Sequence, residues 1–222
     1  MPRRVAGADV WDTRWVVVTL VDGEFASVEV VDELRDFLVR DGQITCVGVD
    51  MPIELLPNGS PRPCDKEARA MVGKRSSSVF SAPPQSLLNV GDFAETNEAA
   101  TTLGEARLSL QSYALREKII EVRGLRDEFP YLHEVHPEVS FMVANDECPL
   151  EWSKHSWNGI EERRDILRRQ RLLWSGPDAG AAGAGVDDVL DATIAAWSAD
   201  RIARGASRRL PETGESAGVI EY

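Results

Sequence analysis

The first fifty residues alternate between apolar runs and short polar breaks, a pattern typical of β-strands. Apolar runs cover residues 5–9 and 15–20, and residues 25–31 alternate between apolar and polar side chains. The Asp22-Gly23 pair between the last two segments is a strong hairpin signal. We therefore predict three strands, of which the second and third pair in antiparallel fashion.

A short helix and a different kind of strand follow. The helical spacing of apolar residues begins after Asp32, which can cap the helix, and it ends before residues 41–42. Residues 44–50 then form a near-continuous apolar run, which is typical of a strand buried on both faces. Because a helix connects this run to the preceding strands, we expect it to lie parallel to the first strand and beside it.

The middle of the chain has weaker patterning. Residues 56–90 are rich in Pro, Gly and Ser and contain a short predicted helix at 65–72, while residues 94–123 have helix-forming composition. Residues 132–143 are predicted as a strand, and Pro137 within them indicates a strand end or a sheet edge.

Helices dominate the C-terminal third. A basic helix is predicted at residues 161–173, and a Gly/Ala linker at 176–185 leads to a final helix at 187–204. The predicted organisation is a single domain over residues 1–210, with an insertion at about 56–130, followed by a flexible tail over 211–222.

The composition is that of one globular domain. The 222 residues are 43% hydrophobic and 28% charged, which excludes a disordered or fibrous chain. The formal net charge of −12 argues against a protein that coats nucleic acid, because such binding draws on cations that neutralise phosphates. A local basic channel is compatible with this charge.

The three cysteines, Cys46, Cys64 and Cys148, are too scattered for a disulfide framework or a zinc site. They are interpreted as reduced thiols, and no spacing places a base beside Cys64 that would make it a nucleophile. The chain has no run of membrane-spanning length and no apolar signal region. We therefore expect a cytoplasmic protein without a membrane partner.

Aspartates follow both of the strands that are predicted to be parallel neighbours. Asp9 ends the first apolar run and Asp50 ends the run at residues 44–50. The carboxyl edge of an open α/β sheet is where such folds bind ligands. Two carboxylates placed side by side there need a cation.

The final helix begins with three further acids. Spacings of three and four residues place Asp191 on one face with Asp188 and Asp187. Small residues farther along the helix permit a close approach to the sheet, so that these acids can approach Asp9 and Asp50. Acids in a first helical turn are also favoured by the helix dipole alone, which is an alternative explanation of the cluster.

Several short strings, weak one by one, together resemble a known family. They are Gly7-Ala8-Asp9, residues 47–53 (VGVDMPI), Arg62 with Asp65 and Arg69, residues 74–80 (KRSSSVF), residues 134–141 (EVHPEVSF) and residues 187–192 (DDVLDA). Over residues 4–204 the chain resembles an uncharacterised family of predicted ribonuclease H-like nucleases, in the ribonuclease H and Holliday-junction resolvase superfamily.

The resemblance implies an α/β fold with a mixed five-stranded sheet in the order 3-2-1-4-5, flanked by helices. It also implies that acidic residues bind divalent metal. Asp9 matches the first-strand aspartate, Asp50 the fourth-strand acid, and Asp188 with Asp191 the paired acids of the final helix. Glu134 falls on the fifth strand and is a further catalytic candidate.

Such acids suit Mg²⁺ or Mn²⁺, because hard cations prefer oxygen ligands and a pair of them can orient water at a phosphodiester. In this hypothesis Asp9 bridges two ions, and Asp50 and one of Asp188 or Asp191 each hold one. The remaining acid positions the water.

Other residues are candidates for substrate binding. Lys74, Arg75 and Ser77 offer cations and a hydroxyl for a phosphate, or form a solvated loop. His136 and Glu138 can shuttle or orient a proton, or mark a strand end. The remaining candidate is Lys154, in a segment where tryptophans either stack on bases or pack.

The sequence thus predicts a metal-dependent phosphodiesterase or nuclease, a hydrolase that acts on nucleic acid or a nucleotide-like substrate. One alternative is a ribonuclease H-like scaffold that binds without catalysis. Another is a phosphoryl-transfer enzyme of the related sugar-kinase and actin-like ATPase core, but the chain lacks the second lobe and the glycine-rich loops of that class.

Overall fold

The computed structural model describes residues 1–59, 61–176, 178–181, 183–213 and 218–222. Two sets of elements form the fold. The strands are β1 (Arg4–Trp11), β2 (Arg14–Val21), β3 (Glu24–Val31), β4 (Cys46–Val49), β5 (Leu132–Glu134), β6 (Arg209–Leu210) and β7 (Ile220–Glu221). The α-helices are α1 (Leu34–Arg40), α2 (Pro63–Val72), α3 (Phe93–Leu103), α4 (Leu110–Ala114), α5 (Arg116–Leu125), α6 (Pro137–Ala144), α7 (Trp157–Arg169) and α8 (Val186–Ala203).

Five strands form the central sheet in the order β3-β2-β1-β4-β5. The first three are an antiparallel meander, and β1, β4 and β5 are parallel neighbours. This is the ribonuclease H-like arrangement, so the predicted fold class is confirmed. The predicted hairpin at Asp22-Gly23 and the parallel placement of the fourth strand are confirmed as well.

The two faces of the sheet carry separate hydrophobic cores, because successive strand residues point to opposite sides. On one face Trp15 and Val17 pack with Phe37 of α1 and Ile119 of α5. On the other face Val16 and Val18 belong to a core with side chains of α6, α7 and α8. The final helix therefore covers the centre of the sheet.

Two glycines set how closely α8 approaches the sheet. A Cβ atom on Gly7 of β1 would lie 2.0 Å from the backbone N of Ala196, and one on Gly48 of β4 would lie 2.6 Å from the carbonyl O of Ala195. These distances leave no room for any side chain. The expected close approach of the small-residue face of the helix is confirmed.

Gly7→Ala is expected to destabilise the protein by about 3 kcal/mol, because the new methyl group meets the α8 backbone rather than a movable side chain. The matched control is Gly42→Ala, where a Cβ has no neighbour within 4 Å, and its cost should stay within about 1 kcal/mol. Urea unfolding of both variants measures the difference. Equal stabilities would contradict the packing described here.

The structure corrects two predictions about local elements. The N-cap of helix α1 is Glu33, whose side chain makes no capping bond, and not Asp32 as predicted. The carboxylate of Glu121 accepts the N–H of Leu34 at 2.7 Å in place of a side-chain cap. The strand predicted over residues 132–143 ends at Glu134, and Pro137 occupies the first turn of helix α6. Proline fits there because the first-turn N–H groups have no intrahelical acceptor.

The end of the chain also differs from the prediction of a flexible tail. Strands β6 and β7 pair in antiparallel fashion, and Tyr222 is completely buried. The prediction is therefore wrong for residues 218–222, while residues 214–217 lie outside the described ranges. Within the described part of the chain, no helix is long and apolar enough to cross a membrane.

Candidate active site

A cleft of about 440 Å³ opens at the carboxyl edge of β1 and β4. Asp9 near the end of β1 and Asp50 directly after β4 both line it. The N–H of Asp50 bonds to the carbonyl of Ala8 at 3.0 Å, which continues the parallel pairing as far as the two acids. The strand ends therefore bring these two carboxylates together, as the sequence predicted.

The first turns of α8 supply three more acids to the same cleft, Asp187, Asp188 and Asp191. Asp191 is buried, while Asp187 and Asp188 are partly exposed. The packing of α8 on Gly7 and Gly48 fixes the distance of this helix from the strand ends. Five carboxylates from three distant segments thus meet in one place.

Burial and mutual repulsion disfavour the charged forms of these acids. Burial raises the pKa of Asp50 to about 8, and Asp191 adds to the shift. The pKa of Asp9 is likewise raised well above its ordinary value by burial and then by Asp50. Burial and Asp187 raise the pKa of Asp188 to about 6. Positive charge nearby would therefore stabilise the ionised cluster.

Lys154 is the cation that stands closest to the cluster. Its Nζ lies 2.7 Å from Oδ2 of Asp191 and 3.9 Å from Oδ2 of Asp187. Burial lowers the pKa of Lys154, but Asp191 and Asp9 outweigh this effect and raise it above the ordinary value. The lysine is therefore charged, and its single charge offsets several carboxylates only in part.

The loop that carries Lys154 is fixed to helix α7. The Glu162 carboxylate accepts the backbone N–H groups of Glu151 and Trp152 at 3.0 and 3.1 Å. Nη1 of Arg163 donates to the Trp152 carbonyl at 3.2 Å. These bonds hold the loop in place, so Lys154 is a positioned cation rather than a freely moving surface side chain.

A buried ion pair lines another wall of the cleft. Nη2 of Arg163 donates to Oε2 of Glu138 at 2.6 Å, and the arginine is 1% exposed. Among the described residues, Oε1 of Glu138 and Nδ1 of His136 are buried without a hydrogen-bond partner. His136, Pro137 and Glu138 lie at the start of α6, and burial lowers the pKa of His136. This side of the cleft therefore has unused polar atoms.

Arg163 was not among the candidate site residues predicted from the sequence. It lies on the apolar face of α7 with Ile166 and Leu167, all of them buried. A charged residue at an apolar helical position was the available signal, because such a residue needs a buried partner.

The insertion closes the cleft on its remaining side. Arg75 and Ser77, two of the candidate substrate-binding residues, line it, and so do Phe80, Gln111 and Leu115. Lys74 is exposed and does not line the cleft. Gln111 and Leu115 could not be predicted as lining residues from the sequence, since their approach depends on how the insertion folds back.

Glu134, the remaining catalytic candidate, lies outside this cleft. Its two carboxylate oxygens accept hydrogen bonds from Arg62 at 2.6 and 3.0 Å, and one also accepts the N–H of Ile53 at 2.8 Å. Arg62 bonds to Asp65 as well, at 2.5 and 3.0 Å, and all three ionic side chains are buried. The structure thus places Glu134 in a buried ionic triad that joins α2 to β5.

Cys64 lies beside this triad. Within the described ranges, Cys64, Asp65 and Glu134 are the one group of three potential ligands whose atoms all lie within 4.8 Å of one another. Arg62 already bonds to both carboxylates, and burial raises the pKa of the Cys64 thiol to about 12. A thiol in this state is neither a ready metal ligand nor a nucleophile.

The aspartate cluster, which consists of Asp9, Asp50, Asp187, Asp188 and Asp191, suits a divalent ion better than the group around Cys64 does. Its donors are all carboxylate oxygens, which Mg²⁺ and Mn²⁺ prefer. Within the described ranges no three of these acids have their oxygens within 4.8 Å of one another. This wider spacing agrees with the mutual repulsion of Asp9, Asp50 and Asp191. Added positive charge would relieve the cost of the buried acids.

The family described as "Protein of unknown function (DUF429)" matches residues 7–216. The chain belongs to this family. None of the curated proteins and none of the solved structures matches this chain. The matched residues of this DUF429 member run from within β1 through β4 and α8, and therefore include the whole aspartate cluster.

The acids should make the stability of this DUF429 protein depend on pH and metal. Between about pH 4 and pH 8 the unfolded chain has released the Asp50 proton that the folded chain still holds, so the free energy of unfolding falls as pH rises. Asp50→Asn should therefore be more stable than wild type at pH 8 without metal, by about 2 kcal/mol or roughly 4–8 °C in Tm. The two proteins should converge near pH 4. Equal Tm values throughout would contradict the raised pKa.

Proposed function

We propose that the protein is a divalent-metal-dependent phosphodiesterase or nuclease. The observation that carries this proposal is the convergence of Asp9, Asp50, Asp188 and Asp191 from two strand ends and one helix in a single cleft. An isolated group of buried like charges is costly. A site that recruits metal and phosphate gives such a group a use.

The acids divide into two roles in this proposal. Asp9, Asp50 and Asp191 are buried or partly buried at the base of the cluster and would hold Mg²⁺ or Mn²⁺. When bound, the metal supplies a Lewis acid that activates water and stabilises negative charge on the phosphate. Asp188, with a pKa of about 6, is suited to accept the proton of the attacking water near neutral pH.

The cations of the cleft would bind the substrate. Lys154 and Arg75 line it from two different elements, and Arg163 lines it while paired with Glu138. Positive side chains at a developing phosphorane charge are worth most where water is excluded. The unpaired Oε1 of Glu138 can accept a hydrogen bond from a hydroxyl or amino group of the substrate.

A panel of phosphodiesters tests the activity. Purified protein is incubated with single-stranded, duplex, hybrid and branched nucleic acids and with bis(p-nitrophenyl) phosphate, in Mg²⁺, in Mn²⁺ and in chelator. We expect cleavage of at least one substrate, with metal only. Metal binding without cleavage of any of them would favour the catalytically silent scaffold.

Lys154→Met should lower kcat/KM by about 10²-fold, because the positioned charge near the reacting phosphate is lost while the side-chain volume is kept. The matched control is Lys66→Met, an exposed lysine on α2, which should have kinetics within about twofold of wild type. Steady-state cleavage in Mn²⁺ measures both. Unchanged rates in Lys154→Met would remove this residue from the proposed mechanism.

The proposed location is the cytoplasm. All three cysteines are free thiols in the structure, and Cys148 is exposed. A reducing compartment keeps exposed thiols from pairing.

A further inference from the structure

A second cleft of about 380 Å³ adjoins the aspartate cleft. The two share Ser77, Phe80 and Gln111 in their linings, so they are adjacent, and the pair is called the groove below. Each part has the size of a small-ligand site. The groove therefore extends from the aspartate cluster along the insertion.

The second cleft has the opposite charge to the first. Arg69 and Arg107 line it, and the one carboxylate among its described lining residues, Asp65, is paired with Arg62. Arg69 donates to the carbonyl of Val79 at 3.0 Å and to Oγ of Ser81 at 2.9 Å, which leaves further N–H groups for a ligand. Within the described residues the exposed Arg107 makes no ion pair or hydrogen bond. The cleft is thus prepared for an anion.

The remaining walls are apolar. Phe80, Pro83 and Leu108 line the second cleft, and the last two are buried. A flat apolar wall beside arginines suits an aromatic base with its phosphate, since bases stack on aromatic and apolar side chains. Two exposed aromatics, Trp152 and Trp157, also flank Lys154 in the chain and are 44% and 74% exposed.

We propose that the second cleft binds the nucleotide next to the cleaved bond, and that the substrate is an unpaired nucleic-acid strand. A base within a duplex is stacked on both faces and paired along its edge, so it must leave the helix before a walled cleft can take it. The inference rests on the proposed function, because the aspartate cleft must take the adjoining phosphodiester.

Binding of labelled strands tests this substrate class. Fluorescence anisotropy is measured in Mn²⁺ at fixed salt with Asp9→Asn protein, in which turnover is prevented. The probe is a short fluorescein-labelled oligonucleotide, as DNA and as RNA, alone or annealed to its complement. Arg107→Ala is added to the same background, and Arg35→Ala, an exposed arginine paired with Glu128 on another surface, is the control.

The unpaired probe should bind at least about tenfold more tightly than the duplex, and Arg107→Ala should weaken it about tenfold, as expected for one lost charged hydrogen bond. Arg35→Ala should bind like its parent. Equal affinity for strand and duplex, no binding of either, or no effect of Arg107→Ala would overturn the inference. In wild type, cleavage of bis(p-nitrophenyl) phosphate without strand preference would overturn it while preserving the proposed function. Preferential binding of the unpaired strand without cleavage of any substrate would overturn the proposed function while preserving the inference about binding.

Discussion

Asp9→Asn is expected to abolish metal-dependent cleavage, with a loss of about 10³-fold or more in kcat. Asp9 is 6% exposed and interacts with Asp50, Asp191 and Asp188, so its charge belongs to the set that would hold the metal. Asparagine keeps the shape and removes the charge. Steady-state cleavage of the best substrate in Mn²⁺ gives the measurement.

The fold should survive this change, which separates chemistry from stability. Burial raises the pKa of Asp9, so the neutral amide replaces a group whose charged form the folded protein disfavours. The Tm of Asp9→Asn should therefore equal or exceed that of wild type in chelator. Asp36→Asn, at an exposed acid of α1, is the activity control. Wild-type cleavage by Asp9→Asn would remove the aspartate from the active site.

Arg62→Ala should have the largest effect on stability, a loss of about 3–5 kcal/mol. Arg62 is 3% exposed and makes bidentate contacts with Asp65 and Glu134, which would remain buried without a cation. The expected fall in Tm is roughly 6–20 °C for a chain of this size. Thermal unfolding at neutral pH measures it.

Arg35→Ala provides the comparison for this variant. Its ion pair with Glu128 has both side chains 49% exposed, so its loss should cost less than about 1 kcal/mol. A second comparison adds Asp65→Asn and Glu134→Gln to Arg62→Met, which removes all three charges and should recover much of the loss. Equal Tm values for Arg62→Ala and Arg35→Ala would show that the triad does not stabilise the fold.

The sheet could be predicted from the sequence because its signals are local. Alternation in β3, continuous apolar residues in β4 and the Asp22-Gly23 turn each act within a few residues. Helix α6 was predicted as part of a strand because Val139, Phe141 and Val143 recur at every second position. Pro137 fits both a strand end and the first turn of a helix, so it distinguishes the two only once the burial of that segment is known.

The candidate site also contains residues that could be predicted from local signals and residues that could not. Asp9 and Asp50 were predictable, since a strand end places its acid at a known edge of the sheet. The partner of Glu134 was not, because Arg62 lies 72 residues away and only the folded insertion brings them together. The same holds for the walls of the groove at Arg107 and Gln111. Long-range pairing leaves no periodic signal in one sequence.

Calorimetric titration of Mn²⁺ determines whether the aspartate cluster is a metal site. Wild type, the Asp9→Asn/Asp50→Asn double variant and the Asp36→Asn control are titrated under the same conditions. We predict saturable binding to wild type and to the control, and none to the double variant. Equal Mn²⁺ binding by the double variant, or no binding by wild type, would show that the aspartate cluster is not a metal site.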